Sequence, residues 1–291
     1  MAGAELASTT PRDAGREFAF TTEDFRTIAA VLHGDAGIYL PDTKATLVYS
    51  RLAKRLRLLG MSSFRDYCAL IQGQQGVDER QAMLAALTTN VTRFFREPHH
   101  FEHLRDTVMP ILAARARAGG RVRLWSAACS TGQEPYSMAL SVLAALPDAA
   151  RHDVRILATD IDPNVVQTAR EAVYSREALD AVPASDRKHL RKAPEAGVDM
   201  WRMSEETQEL ITFRELNLIK PWPMKGRFDV IFCRNVVIYF DDATQEQVWR
   251  KFIDVMSPGA RLYIGHSERV TGDGGRLTSD GLTVYKVGGQ L

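Results

Sequence analysis

Cysteine is scarce in this chain of 291 residues. Cys68, Cys129 and Cys233 lie far apart and form no C-x-x-C pair, which excludes a disulfide framework and a cysteine-built zinc site. A surplus of either charge is also missing: 37 Lys plus Arg face 36 Asp plus Glu, a net charge of +1. No whole-molecule field therefore draws the chain to nucleic acid or to an anionic membrane, and any basic partner surface must be local. Long apolar runs are absent too, since stretches such as 138–146 and 230–240 are too short or too interrupted to span a bilayer. The first seventeen residues are small and polar, carry Glu5, Asp13 and Glu17, and lack the basic start and apolar centre of a signal peptide. They read as a disordered tail. These absences predict a soluble, cytoplasmic protein, with a monomer as the default assembly.

What is present changes character once along the chain. Residues 18–90 carry helical periodicity over 22–33, 43–59, 63–72 and 77–87, broken at Gly34, Pro41, Gly60 and Gly73. Residues 91–120 read as a linker and a helix. From 121 to 291 the pattern becomes strand, turn, helix, strand, the mark of a parallel sheet covered by helices. Residues 121–127 predict a first strand and 134–146 its crossover helix, with Pro135 suited to the first turn. Strands are expected at 154–159, 228–233 and 261–264. Asp162 with Pro163, and Asp241 or Asp242, supply helix starts, and Ser257-Pro258-Gly259 supplies a stop. Between 183 and 218 two strand-like runs, 199–203 and 210–216, predict a small inserted antiparallel β-subdomain.

In an open wound sheet, ligands bind beyond the carboxyl ends of the strands. The first such turn here is Ala127-Ala128-Cys129-Ser130-Thr131-Gly132-Gln133-Glu134. It has one glycine and places an acid at the helix start, both unfavourable for a dinucleotide pyrophosphate. S-adenosylmethionine has no phosphate but carries an ammonium, a sulfonium and a ribose diol, which suit Glu134 and Asp160 at the end of the second strand. An acid in such a place also serves as a plain helix cap or dipole partner, and the residues alone leave both readings open.

Four segments decide between them: Leu87-Thr88-Thr89-Asn90-Val91-Thr92-Arg93-Phe94-Phe95-Arg96-Glu97, residues 127–136, Asn217-Leu218, and Phe232-Cys233-Arg234-Asn235-Val236-Val237-Ile238-Tyr239-Phe240. Together with Gly265-His266-Ser267-Glu268 and Thr283-Val284-Tyr285 they resemble the chemotaxis receptor methyltransferases, the CheR family, in order over residues 18–287. The resemblance implies an N-terminal all-helical domain, then a Rossmann-like class I methyltransferase domain with the small β-subdomain inserted. It implies transfer of methyl from S-adenosylmethionine to glutamates of methyl-accepting chemoreceptors, with S-adenosylhomocysteine as product. Asn90, Thr92, Arg96, Glu134, Asp160, Asn217, Leu218, Asn235 and Val236 are expected to line the cofactor site by the same resemblance, with Arg96 and Tyr239 closest to the methyl. Cys129 and Gln133 depart from the family's usual small residue and Glu.

A glutamate is ionised at neutral pH, so the expected reaction needs no general base. A guanidinium at Arg96 can fork a carboxylate, act on the cofactor, or do both in turn. Tyr239 offers an aromatic wall to a cation. Lys44, Arg51, Lys54 and Arg55 share one helix face, with Arg57 further round and no acid between 44 and 59. A charge run of that kind is usually a solvated face. With the resemblance, Arg51, Lys54, Arg55 and Arg57 become candidates to dock the glutamate-rich helical bundle of a receptor. A receptor C-terminal peptide on the β-subdomain is a further expected partner, although 191–198 differs from a glycine-rich version. His99 and His103 have a spacing open to metal, but no activating Glu sits between them in a zinc-protease pattern; packing is expected and no metal. Two rivals remain: an RNA methyltransferase, which the balanced charge disfavours, and a non-catalytic S-adenosylmethionine-binding regulator, which the presence of Arg96 and Tyr239 disfavours.

Overall fold

A computed structural model describes residues 16–289 and divides the chain into two compact units, residues 1–89 and 90–291. Fifteen residues of the expected tail lie outside the described part. Arg16 and Glu17 lie inside it, and Glu17 pairs with Arg57 at 2.8 Å.

The first unit is built from helices α1 (Thr22–Ala36), α2 (Ala45–Leu59), α3 (Phe64–Gln72) and α4 (Val77–Leu87). Thr21 and Asp24 form a reciprocal capping box at the start of α1, an arrangement worth about 1 kcal/mol. Gly60 ends α2 at φ 64, in the left-handed region that glycine enters without a Cβ clash. Val48, Leu52 and Leu56 recur every fourth residue and are fully buried, together with Ile28, Leu32, Phe64 and Ile71. The opposite face of α2 is basic, as expected, but its charges are engaged within the unit. Arg51 donates to the carbonyls of Ala86, Leu87 and Thr88 and so caps the carboxyl end of α4. Arg55 pairs with Glu79, a buried acid that also accepts from the Tyr67 hydroxyl at 2.8 Å. Arg57 holds Glu17, whereas Lys54 is exposed.

The second unit opens with α5 (Pro98–His103), which continues through a π-helical turn (Leu104–Val108) into α6 (Met109–Arg117). Then come β1 (Val122–Ala127), α7 (Gln133–Ala145), β2 (Val154–Asp160), α8 (Pro163–Glu171), β3 (Val173–Ser175), β4 (Leu190–Lys192), β5 (Met200–Met203), α9 (Glu205–Glu209) and β6 (Ile211–Glu215). The chain finishes with β7 (Phe228–Cys233), α10 (Asp242–Asp254), β8 (Met256–Ile264), β9 (Leu277–Gly281) and β10 (Val284–Val287). Seven strands form a mixed sheet in the order β6-β2-β1-β7-β8-β10-β9. Strands β6, β2, β1, β7 and β8 run parallel, and β10 and β9 close one edge antiparallel. Strands β1 and β7 are buried almost throughout, as central strands covered on both faces are. Asp162 and Asp241 cap α8 and α10 through Asn164 and Thr244.

Two boundaries differ from the sequence reading. The small antiparallel sheet, of order β3-β5-β4, draws its strands from 173–203, while β6 leaves it and pairs parallel with β2 as an edge of the main sheet. Strand β8 begins before Pro258-Gly259 rather than after it. Phe228 pairs with Met256 and Val230 with Arg261, so an irregularity absorbs the stop signal without ending the strand.

Candidate active site

Sheet order reverses at β1. The chain builds outward through β2 to β6, then returns to lay β7 on the other side of β1. A crevice opens at such a reversal, beyond the carboxyl ends of the two neighbouring strands. The loops there are held in sparsely populated backbone conformations: Ala128 (φ 70), Ser130 (φ 49) and Asn235 (φ 59), with Phe95 (φ 49) and Glu97 (φ 58) on the segment before α5. Such conformations cost about 1–3 kcal/mol each and persist where surrounding bonds fix them.

Those bonds are identifiable. After β1, the Ala128 and Cys129 amides both donate to the Thr159 carbonyl at 2.8 Å, and the Ser130 amide donates to Asp160 Oδ2 at 2.8 Å. The Ser130 hydroxyl donates to the Asn90 carbonyl, and Asn90 Nδ2 reaches Asp162 at 3.3 Å. Gly132 (φ 97) is required, because a Cβ there would lie 2.6 Å from the Tyr174 hydroxyl. Asp160 also accepts from the Asp162 amide. Burial pushes its carboxyl up, opposed by these backbone donors. Beyond β6 the Leu216 amide donates to the Asp160 carbonyl, which brings Asn217 and Leu218 to the same end of the sheet. Asn217 Oδ1 accepts from the Ile219 amide in a local turn. Leu218 is buried, and its carbonyl accepts from Trp222 Nε1 and Lys251 Nζ. Trp222 packs 4.8 Å from Trp125 of central strand β1.

The first turn of α7 places Glu134 under the crevice. Its carboxylate accepts from the Ser126 hydroxyl at 2.7 Å and from Arg234 Nη1 at 3.0 Å. Burial pushes the Glu134 carboxyl up, while Arg234 pulls it down. Arg234 is itself buried. It stands 3.2 Å from Glu97 and also donates to the Arg96 carbonyl, so one guanidinium ties the segment before α5 to the first turn of α7. Burial raises the Glu97 carboxyl, but the hydrogen bond with His266 and the Arg234 charge outweigh it and bring it to about 2. On the far side, Glu268 is buried and accepts four amides: Asn235 (3.0 Å), Val236 (2.9 Å), Val237 (2.8 Å) and Gly265 (2.6 Å). Gly265 is needed there too, as a Cβ would lie 2.5 Å from Asn235 Nδ2.

Of the residues expected to line the site, Asp160 at the end of β2, Glu134 in the first turn of α7, and Asn90, Asn217, Leu218, Asn235 and Val236 on loops therefore lie at one end of β6, β2, β1 and β7. Thr92 is half-buried on the segment before α5. Arg96 follows on that segment, its side chain donating to the Val91 carbonyl at 3.0 Å. Tyr239 ends a short 3-10 turn and is 38% exposed. The docking candidates Arg51, Lys54, Arg55 and Arg57 belong to the first unit, as described above. Arg234 and Glu268 have no assigned role in the sequence reading, because the groups they hold lie 100 and 32 residues away along the chain. Cys129 is no reactive thiol: it is buried, and burial with Asp160 and Glu134 nearby drives its proton affinity up.

The chemistry of this end of the sheet is anionic. Glu97, Glu134, Asp160 and Glu268 converge on loops where Arg234 is the buried cation. Such a donor set fits an ammonium and a sulfonium and rejects a phosphate. Fold and site thus define a methyltransferase of the S-adenosylmethionine-dependent class. The particular family follows from comparison with known proteins: residues 90–285 match the family model of the CheR methyltransferase S-adenosylmethionine-binding domain, and residues 23–88 match its all-alpha domain. A probable chemotaxis protein methyltransferase of Rhizobium etli is 52% identical over 88% of this chain and 96% of its own length. Chemotaxis protein methyltransferase 2 of Pseudomonas aeruginosa is 42% identical over 93% of this chain and 95% of its own. The chemotaxis protein methyltransferase of Escherichia coli K12 is 39% identical over 92% and 91%. The chain belongs to the CheR methyltransferase family and is a chemotaxis protein methyltransferase, a protein-glutamate O-methyltransferase.

Proposed function

We propose that the crevice between β1 and β7 holds S-adenosylmethionine with its methyl facing Arg96 and Tyr239, and that the acceptor is a glutamate on the cytoplasmic helical bundle of a transmembrane chemoreceptor. The observation that carries this reading is the buried excess of carboxylates at the switch point, with Glu134 fixed by Ser126 and Arg234. When bound, the cofactor supplies a methyl on a sulfonium, which departs as a neutral thioether as the glutamate oxygen bonds to carbon. No proton moves, so the chain's own residues have position and water exclusion to provide. Glu134 serves the amino-acid end, Asp160 the ribose, and Asn217, Leu218, Asn235 and Val236 the walls. Arg96 steers the incoming carboxylate, and the Tyr239 ring would face the sulfonium charge, which fades as the methyl is transferred. No helix among the described residues is long and apolar enough to cross a membrane; with the acceptor's location this favours the cytoplasm.

The docking surface is narrower than the sequence suggested. Lys54 is exposed, whereas Arg51 and Arg55 hold the first unit together and the exposed Arg57 is paired with Glu17. Lys54 is therefore the charge available to an acidic helix, and Arg57 joins it only by exchanging Glu17 for an acid of the partner.

The test is transfer of radiolabelled methyl to receptor fragments by Arg96→Ala and Tyr239→Phe. Each is expected to lower turnover by about tenfold to a hundredfold, the scale of lost positioning, with S-adenosylhomocysteine affinity changed less. Wild-type turnover in both would remove these two residues from the reaction.

A further inference from the structure

His99 and His100 are not used by the reaction described above, yet both project nitrogens into a buried polar cluster. A donor atom from each, with one from Glu97, falls within 4.8 Å of the others. His100 is fully buried. Its Nε2 lies 2.7 Å from the Thr283 hydroxyl, which fixes the ring, and its Nδ1 is buried without a hydrogen bond, 3.5 Å from Glu97 Oε2. Nε2 of His99 is likewise buried without a hydrogen bond, and the two rings lie 4.2 Å apart. An imidazole nitrogen that accepts nothing and donates nothing inside a protein is costly unless something occupies it.

We infer that Glu97, His99 and His100 form a binding site for one divalent transition ion, zinc being the ion their donor set suits best. Two ligands about 2.0 Å from a tetrahedral zinc stand about 3.3 Å apart, close to the 3.5 Å between Glu97 Oε2 and His100 Nδ1. Two imidazoles and a carboxylate favour zinc over magnesium or calcium, which take oxygen. The surroundings match those of known sites: the far nitrogen of His100 is held by Thr283, and the carboxylate of Glu97 is held by Arg234 at 3.2 Å. Arg234 does not repel the ion outright, because Glu134 pairs with it at 3.0 Å. His266, 68% exposed and 2.9 Å from Glu97 Oε1, stands near enough to complete the set or to yield to water. The pair differs from the His99 and His103 spacing considered in sequence. His103 turns instead to the Tyr263 hydroxyl at 2.9 Å and to Asp280. An ion at this place would brace the residue after Arg96 against the start of α5, and the inference does not depend on what the crevice methylates.

The test is calorimetric titration of zinc chloride into the full chain, stripped with chelator and dialysed, together with the absorption spectrum of the cobalt-loaded protein. The expected result is one saturable site per chain, and visible bands of a low-coordinate cobalt ion. His99→Gln, which removes no hydrogen bond from the fold, is expected to weaken binding at least about tenfold, while His103→Gln retains wild-type affinity. Circular dichroism of both variants guards against misfolding. Absence of saturable binding, or equal affinity in wild type and His99→Gln, would leave an adventitious ion only and overturn the inference, as would equal weakening in His103→Gln.

Discussion

Replacing Glu268 by Gln isolates the device that holds the loop after β7. The Glu268 carboxylate accepts the Val236 and Val237 amides on one oxygen and the Asn235 and Gly265 amides on the other. A glutamine of the same shape keeps one oxygen and turns the other into a donor facing two donors. Hydrogen bonds to a charged acceptor are each worth about 1.5–3 kcal/mol, so two are lost at a gross cost of about 3–6 kcal/mol. Relief from burying a charge offsets part of this, leaving a net loss of about 3 kcal/mol. For a unit of this size, about 2–4 °C per kcal/mol, the thermal midpoint of the second unit is expected to fall by about 6–12 °C. Asn235 also loses the anchor of its left-handed backbone, so S-adenosylhomocysteine affinity is expected to weaken by about tenfold or more. Differential scanning calorimetry and titration calorimetry read the two effects on the same sample. A midpoint within about 2 °C of wild type with unchanged affinity would refute the assignment of Glu268 as the support of this loop.

Arg234→Met leaves Glu134 and Glu97 buried without their shared cation and is expected to destabilise the second unit by about 3–5 kcal/mol, measured by urea unfolding; a loss under about 1 kcal/mol would mean the pairs are dispensable. Arg55→Ala strands the buried Glu79 and is expected to cost the first unit about 2–3 kcal/mol, whereas Lys54→Ala leaves unfolding within about 0.5 kcal/mol and raises KM for receptor fragments. Equal stability of the two variants would contradict the division made between them. Burial brings the Lys251 ammonium down to about 8 from 10.5. Between those values the unfolded chain holds a proton that the native chain has released, so this group's contribution to stability rises with pH across the window and is lost as pH falls through 8. The difference in unfolding free energy between wild type and Lys251→Met is therefore expected to grow from pH 8 to pH 10, by less than about 1.4 kcal/mol per unit because the side chain is half-exposed; a flat difference would contradict the burial argument.

Much of the scaffold was legible because its signals are local. Four-residue spacing of Val48, Leu52 and Leu56, caps at Asp162 and Asp241, and the apolar run of β7 each specify an element from neighbours in sequence. Strand β6 was misplaced for a physical reason: Ile211 and Phe213 alternate with Thr212 and Arg214, and period-2 alternation marks a half-exposed strand without naming its partner. Its partner, β2, lies more than fifty residues earlier. The basic face of α2 misled in the same way, since the acids that occupy it, Glu79 and Glu17, come from outside the helix. The support of the site was illegible because Arg234 meets Glu134 across 100 residues of chain, and Glu268 meets the Val236 amide across 32. Charge at the end of a strand reads as solvent-facing until the fold closes over it.

Incubating the protein with S-adenosylmethionine carrying a tritiated methyl group, and with either receptor cytoplasmic fragments or RNA, then treating with mild base, addresses the reaction itself. Volatile methanol released from the receptor fragments, and none from RNA, is the predicted result. Label that resists base on the receptor, or that appears on RNA alone, would contradict the account.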